Sequence, residues 1–385
     1  MNNHMRVAVV GAGVSGLAIA TLLRRRGVHC ELFEKSTTLS AVGAGIQLSP
    51  NGARILHELG AERLMRRRGI TAQAIETRRW DNGGLLSRVP HGPACEARFQ
   101  APYYLIHRAD LQACLVDLLP PGSLHLGRAV KDVIEQADGV ELRLADGESV
   151  EADVVIGADG VHSAVRGAVV SDEPLFSGYS VYRALVPAEA VPSFAPDPRV
   201  MFWLGPDRHI TYYPVSAGRT VHFSAVCAHP DGEGAPRTSD ADAHRLLEEF
   251  DGWHVSVRQV LKAAESVTRW GLFDRDIAER YCLQRVALVG DAAHPMLPYL
   301  SQGAGQALED ARELSDCLMS GMDVPSALRR YDTRRRARTA NVHRQSRLRA
   351  TTFHLADGPL QRRRDAVLGS QNTLDHLEWL YGTPF

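Results

Sequence analysis

Apolar residues along this chain fall into short runs that stop at glycine turns, alternating with stretches of helical spacing. Arg6-Val7-Ala8-Val9-Val10 has the pattern of a buried strand, breaks at Gly11-Ala12-Gly13-Val14-Ser15-Gly16, and resumes from Leu17 to Leu23 with helical period. Cys30-Glu31-Leu32-Phe33 predicts the next strand, so residues 6–35 predict the opening βαβ unit of a doubly wound sheet. Gly43-Ala44-Gly45-Ile46 predicts a turn, and Pro50-Asn51-Gly52 opens an amphipathic helix ending near Gly60. The stretch Ile75 to Ala101 lacks helical period and predicts strands and loops. Tyr104 to Arg108 predicts a short buried strand, and Ala109 to Leu119 a helix stopped by Pro120-Pro121.

Alternating segments from Val130 to Val155, divided by Ala137-Asp138-Gly139 and Ala145-Asp146-Gly147, predict an antiparallel meander. It runs into the apolar strand Val154-Val155-Ile156, which ends in Gly157-Ala158-Asp159-Gly160. Between about 174 and 270 the chain becomes β-rich and aromatic. Arg285-Val286-Ala287-Leu288-Val289 then ends in Gly290-Asp291, a return to the first fold. Residues from Gly303 to Trp379 are mostly helical, with Tyr381 and Phe385 expected to pack. The expected fold is α/β: a Rossmann-like nucleotide-binding domain (1–173 and 271–385) with an inserted β-rich domain (174–270) and C-terminal helices.

A length of 385 residues fits two subdomains with room for a buried cofactor. The formal net charge of −1 supplies no global field for nucleic acid or an anionic membrane. The short arginine runs, such as Arg334 to Arg336, read as solvated helix faces. Six scattered cysteines without a CxxC pair argue against a zinc site and a dithiol redox centre, and fit a cytoplasmic protein. Val7 to Val10 is too short for a signal-peptide core, and no stretch is long and apolar enough to span a bilayer.

The first glycine turn has the chemistry of a dinucleotide cradle. Gly11 permits the tight turn, Gly13 lets backbone N–H groups approach a pyrophosphate, and Gly16 lets helix pack on strand, while the helix N-terminus carries partial positive charge. Glu34, eighteen residues after Gly16, suits the hydroxyls of an unphosphorylated adenosine ribose. Two later strands also end in polar glycine turns, and in a parallel sheet all three ends converge on one crevice.

Taken in order, Gly11 to Gly16, Gly157-Ala158-Asp159-Gly160 and Gly290-Asp291-Ala292-Ala293-His294-Pro295, continuing through Gln302-Gly303-Ala304-Gly305 to Asp310, resemble the three fingerprints of the class A FAD-dependent aromatic monooxygenases, the family with the p-hydroxybenzoate hydroxylase fold. The resemblance spans nearly the whole chain and implies an FAD-binding domain with an inserted β-rich substrate domain. It implies cofactor contacts from Gly11, Gly13, Val14, Ser15, Gly16, Glu34, Lys35, Gly45, Arg108, Asp159, Gly160, Asp291, Pro298, Gly303, Ala304 and Gly305. Glu34 would hold the ribose, Arg108 would reach toward the flavin, and Asp291 would accept from the ribityl chain. The N–H groups at Gly303 to Gly305 would meet the flavin pyrimidine edge, where a helix dipole stabilises negative charge. With one cradle filled by FAD, NADH or NADPH would bind transiently as reductant, and O2 would be activated as a flavin C4a-hydroperoxide.

On the substrate side, strand alternation in Arg208 to Tyr213 puts His209, Thr211 and Tyr213 on one face. This segment resembles that of the 6-hydroxynicotinate 3-monooxygenase and salicylate hydroxylase subgroup, which implies His209 as base and Tyr213 as its catalytic neighbour, with Arg183 and His294 as further substrate contacts. Ala293 departs from the cysteine of 6-hydroxynicotinate enzymes and matches the salicylate and 3-hydroxybenzoate hydroxylases, which leaves the substrate open. The implied activity is hydroxylation of a small hydroxylated aromatic or N-heteroaromatic acid, with or without loss of its carboxylate, by a monomer or homodimer. A tailoring hydroxylase of a larger phenol or polyketide and a non-oxygenating FAD dehydrogenase stay open as alternatives.

Overall fold

The computed structural model describes residues 5–39, 44–191, 194, 196–229, 239–241 and 243–382. Gly43 and Phe385, both assigned above from sequence, lie outside the described residues. Five strands form an all-parallel sheet in the order Val286–Leu288, Val154–Gly157, Arg6–Val10, His29–Glu34 and Leu124–Leu126. Val7 to Val10 are buried, as a strand covered by helices on both faces requires. All three fingerprint turns follow strands of this sheet at their carboxyl ends. Helix Gly303–Leu318 packs against helix Val14–Arg25 and against the 30-residue helix Val324–Phe353.

The expected meander is present as Val130–Glu135, Val140–Leu144 and Ser149–Ala152, paired antiparallel. The β-rich region forms an eight-stranded sheet, in which Arg208–Val215 pairs with Thr220–Ala228 on one side and Arg199–Gly205 on the other. Strands Ala74–Arg79 and Leu85–Pro90 complete this sheet from far upstream in the chain. Its two faces differ. Ile210, Tyr212 and Phe223 join a core with Leu246, Val257 and Leu261 of two covering helices, while His209, Thr211 and Tyr213 face the nucleotide fold.

Two local expectations are corrected. Gly45–Leu48 is a strand, paired with Tyr104–His107, where a turn was expected. A Cβ at Gly45 would lie 2.7 Å from the Tyr213 ring and 2.8 Å from His222, so this glycine serves close approach of its strand to the eight-stranded sheet. Within Ile75 to Ala101, residues Gly92–Phe99 form a helix. It buries only Gly92, Cys95 and Phe99, too few positions to print a helical period. Tyr381 is buried, as expected.

Candidate active site

The parallel-strand ends and the inner face of the eight-stranded sheet enclose a cavity of about 480 Å3. On the nucleotide side it is lined by Gly13, Val14, Ser15, Gly45, Arg108, Gly160, Asp291, Pro298, Gly303 and Ala304, which the structure brings together from five separate segments.

The glycines of the first turn divide by what surrounds them. Gly11 holds φ at +101°, and a Cβ there would meet the Ala158 carbonyl at 2.6 Å; one on Gly16 would meet the Gly11 carbonyl at 1.9 Å. At Gly13 the nearest group is the Ala158 carbonyl at 3.9 Å, so the backbone stays open to the cavity. Helix Val14–Arg25 starts there with no capping side chain and no acid in its first turn, which leaves its first N–H groups and positive end for an anion. Helix Gly303–Leu318 begins the same way, uncapped and without a first-turn acid, with Gly303 and Ala304 on the cavity. Gly305 instead packs beside Asn51 and Gln302. These features fit FAD.

Glu34 ends its strand with Oε2 accepting from the Ala12 N–H at 2.8 Å and Oε1 from the Ser36 N–H at 2.9 Å. Partial burial works to raise its carboxyl, yet these donors hold it below the ordinary range. Lys35 is exposed beside it. Asp291 faces the cavity; enclosure by the cleft walls raises its carboxyl, with His294 and Arg108 pulling the other way. Its turn is pinned from behind by Arg166, whose guanidinium donates to the Ala292 and Ala293 carbonyls at 2.7 and 2.8 Å and pairs with Asp172.

Asp159 and His294, also expected as contacts, lie off the cavity. The Asp159 carboxylate is turned away from the cavity and accepts from the Ser163 hydroxyl and from the Ala164 N–H at 2.7 Å, so it shapes the turn after the second fingerprint. His294 does not line the cavity either. Its Nε2 lies 2.5 Å from Oδ2 of Asp310, an atom that also accepts from the Gly290 N–H at 2.8 Å. Asp310 and Glu309 are in turn paired with the fully buried Arg335, both at 2.6 Å. This buried network, built from the third fingerprint, holds the Gly290 turn and the Gly303 helix start in place.

Across the cavity, Arg183 lies opposite Ser224 in the sheet, Ser224 opposite Thr211, and Thr211 opposite Phe202. All four line the cavity with His209 and Tyr213. Arg183 has no carboxylate within ion-pairing distance among the described residues, and burial lowers its pKa. Tyr213 stands between Gln47 and Arg183, and burial raises its phenol above the ordinary range. Burial and the neighbouring His354 hold His209 well below 6.5, so its ring is neutral near pH 7. Nδ1 of His209 lies 2.8 Å from Nε2 of His354, leaving Nε2 for the cavity.

Sequence reading missed His354, Tyr299 and Gln47. Tyr299 packs 5.5 Å from the His209 ring, and its buried hydroxyl has no partner among the described residues. Its position directly after Pro298 in the third fingerprint was a usable signal. His354, at the end of the long helix, carried none.

Residues 4–346 match the family model of the FAD binding domain. The 3-amino-4-hydroxybenzoate 2-monooxygenase of Streptomyces cremeus is 55% identical over 383 residues, covering 99% of this chain and 96% of that protein. The 6-hydroxynicotinate 3-monooxygenase of Pseudomonas fluorescens is 32% identical over 351 residues, covering 90% and 91%. Klebsiella pneumoniae HpxO, solved with FAD and uric acid, superposes with a TM-score of 0.86 at 28% identity, covering 98% of this chain and 95% of that one. With fold, cradle and full-length relatives in agreement, the chain belongs to the FAD-binding family of flavin-dependent aromatic monooxygenases.

Proposed function

We propose that this enzyme hydroxylates a small amino- and hydroxy-substituted benzoate, with 3-amino-4-hydroxybenzoate as the substrate to test first and oxygen entering at ring carbon 2. The observation that carries this reading is the 55% identity to the Streptomyces cremeus enzyme over essentially both chains. The cavity chemistry supports it. Arg183, with no carboxylate partner among the described residues, is a cation suited to a carboxylate, and the inner face of the sheet adds Thr211, Tyr213 and Ser224 as polar partners.

FAD, when bound, would supply the redox chemistry that links a transiently bound nicotinamide to O2. Glu34 would hold its adenosine ribose, Gly13, Val14 and Ser15 its pyrophosphate, Asp291 its ribityl chain, Arg108 its flavin side, and Gly303 and Ala304 the flavin edge. In 3-amino-4-hydroxybenzoate, carbon 2 is ortho to the amino group and meta to the hydroxyl. Electron release to the attacked carbon therefore comes from the amine, and the carboxylate is retained. A neutral His209 accepts a hydrogen bond from the substrate at Nε2 while His354 fixes its ring through Nδ1, and Tyr213, kept protonated by burial, acts as a donor. The walls formed by Phe202, Tyr299 and Leu297 limit water around the reacting carbon.

Glu34 belongs to the FAD cradle and does not select the reductant; family membership supports a reduced nicotinamide, proposed as NADH. The six cysteines are free and buried, in keeping with a reducing cytoplasm as the site of action. No described helix is long and apolar enough to cross a membrane. The test is incubation of FAD-loaded enzyme with NADH, labelled O2 and 3-amino-4-hydroxybenzoate. One labelled oxygen in a product that keeps its carboxylate supports the reading. NADH oxidation without labelled product, or preference for 6-hydroxynicotinate with release of CO2, overturns it.

A further inference from the structure

Outside the cavity described above, a second one of about 360 Å3 lies between the long helix 324–353 and the segment 371–379. Exposed Asn341, Gln345 and Trp379 form its outer rim. Inward it shares Leu300, Arg349, Gln371 and His376 with a smaller cavity of about 90 Å3. That smaller space shares Gln47, Phe202, Tyr299 and Ser301 with the 480 Å3 chamber. The three spaces thus form a series from the surface to the substrate face of the sheet, with Arg349 at the neck.

Arg349 is the unusual residue of this series. Its guanidinium lies over the Phe353 ring, 5.8 Å from the centroid, and among the described residues no carboxylate is within ion-pairing distance of it. Asp375, the acid beside His376, is engaged by Arg98. The buried arginines Arg166, Arg275 and Arg335 are treated differently, each pairing with carboxylates. Even a partly buried guanidinium without an anion is costly, and desolvation lowers its pKa. Its neighbours Gln371 and His376 leave the charge uncompensated, and the aromatic rings of Tyr103, Phe353 and Tyr381 line the adjoining space.

We infer that Arg349 is the cation of a second aryl-carboxylate site, on the approach to the chamber, where an aromatic acid docks before its ring reaches the sheet. The outer cavity has the volume for it, since about 150 Å3 suffices to enclose a benzene ring. The inference rests on the reading of the substrate as an aromatic acid. Arg183 remains the anchor inside the chamber, so the route carries two cations in succession.

Calorimetric titration of the FAD-loaded enzyme with benzoate tests this without requiring turnover. The R183Q variant removes the chamber cation and reads the outer site alone. Adding R349Q in that background is expected to weaken benzoate by about tenfold or more, the scale of one charge-assisted contact. R349K should restore most of the affinity, and benzamide should bind weakly to all forms. If R349Q fails to take up FAD, Q371E serves instead, because an acid beside Arg349 should displace benzoate. Benzoate bound equally with and without Arg349, no benzoate bound by FAD-loaded R183Q, or benzamide bound as tightly as benzoate would each overturn the inference. Failure of the substrate reading shows separately, as wild-type enzyme that leaves 3-amino-4-hydroxybenzoate unhydroxylated.

Discussion

The imidazoles of His209 and His354 are hydrogen-bonded, Nδ1 to Nε2 at 2.8 Å, with their rings stacked 5.0 Å apart. His209 comes from the middle of the substrate sheet and His354 from the end of the longest helix, so the contact joins two elements far apart in sequence. It also fixes which nitrogen of His209 meets the substrate. Replacing His209 with Asn is expected to lower hydroxylation by roughly 100-fold or more while FAD binding persists, the usual weight of one acid–base group. His354→Ala should lower the rate less, and its effect should nearly vanish in the H209N background, because both act through one imidazole. Steady-state rates of the four proteins check this; additive losses would separate the two residues.

The glycines of the first fingerprint should give different phenotypes. Gly13→Ala has room for its Cβ and is expected to fold but to bind FAD more weakly. Gly16→Ala would place a Cβ 1.9 Å from the Gly11 carbonyl and should fail to fold stably. Thermal melts and FAD titrations of both variants distinguish packing from cofactor contact.

Arg335 touches no part of the cavity, yet it neutralises Asp310 and Glu309 behind the third fingerprint. Arg335→Met leaves the buried Asp310 carboxylate without its arginine, while Glu309 keeps Arg338, and is expected to cost about 3–5 kcal/mol of stability. Loss of FAD affinity should accompany it, since Asp310 holds the Gly290 N–H and His294. Denaturant unfolding with and without FAD measures both effects.

Sequence alone carried the glycine turns, because each is a backbone requirement with its own residue signature. His209, Thr211 and Tyr213 were legible by strand alternation. Asp159 and His294 were misjudged because a motif gives a residue's neighbourhood and not the direction of its side chain; both point to a structural partner behind the site. Gly45 read as a turn because the tight contact that needs a glycine comes from Tyr213 and His222, more than 160 residues away. Arg349 and His354 stand on a long, arginine-rich helix whose pattern marks neither.

Acid should destabilise the fold early. Burial lowers His91 and His354 to about 4 and His222 to about 3, from 6.5 in the unfolded chain. Their folded-state values are depressed, so the unfolded state binds more protons once the pH falls below 6.5. Stability is therefore full above that value and declines as the pH drops toward 4, by up to roughly 2 kcal/mol per histidine at pH 5. Melting temperatures between pH 7.5 and 5 check the sign; a flat profile would contradict it.

Anaerobic mixing of the FAD-loaded enzyme with NADH, followed by the loss of the flavin's visible absorbance, tests the central assignment most directly. 3-Amino-4-hydroxybenzoate is expected to accelerate flavin reduction by at least about tenfold over NADH alone, a difference of about 1.4 kcal/mol in the barrier. Reduction at the same rate with and without that acid would contradict it.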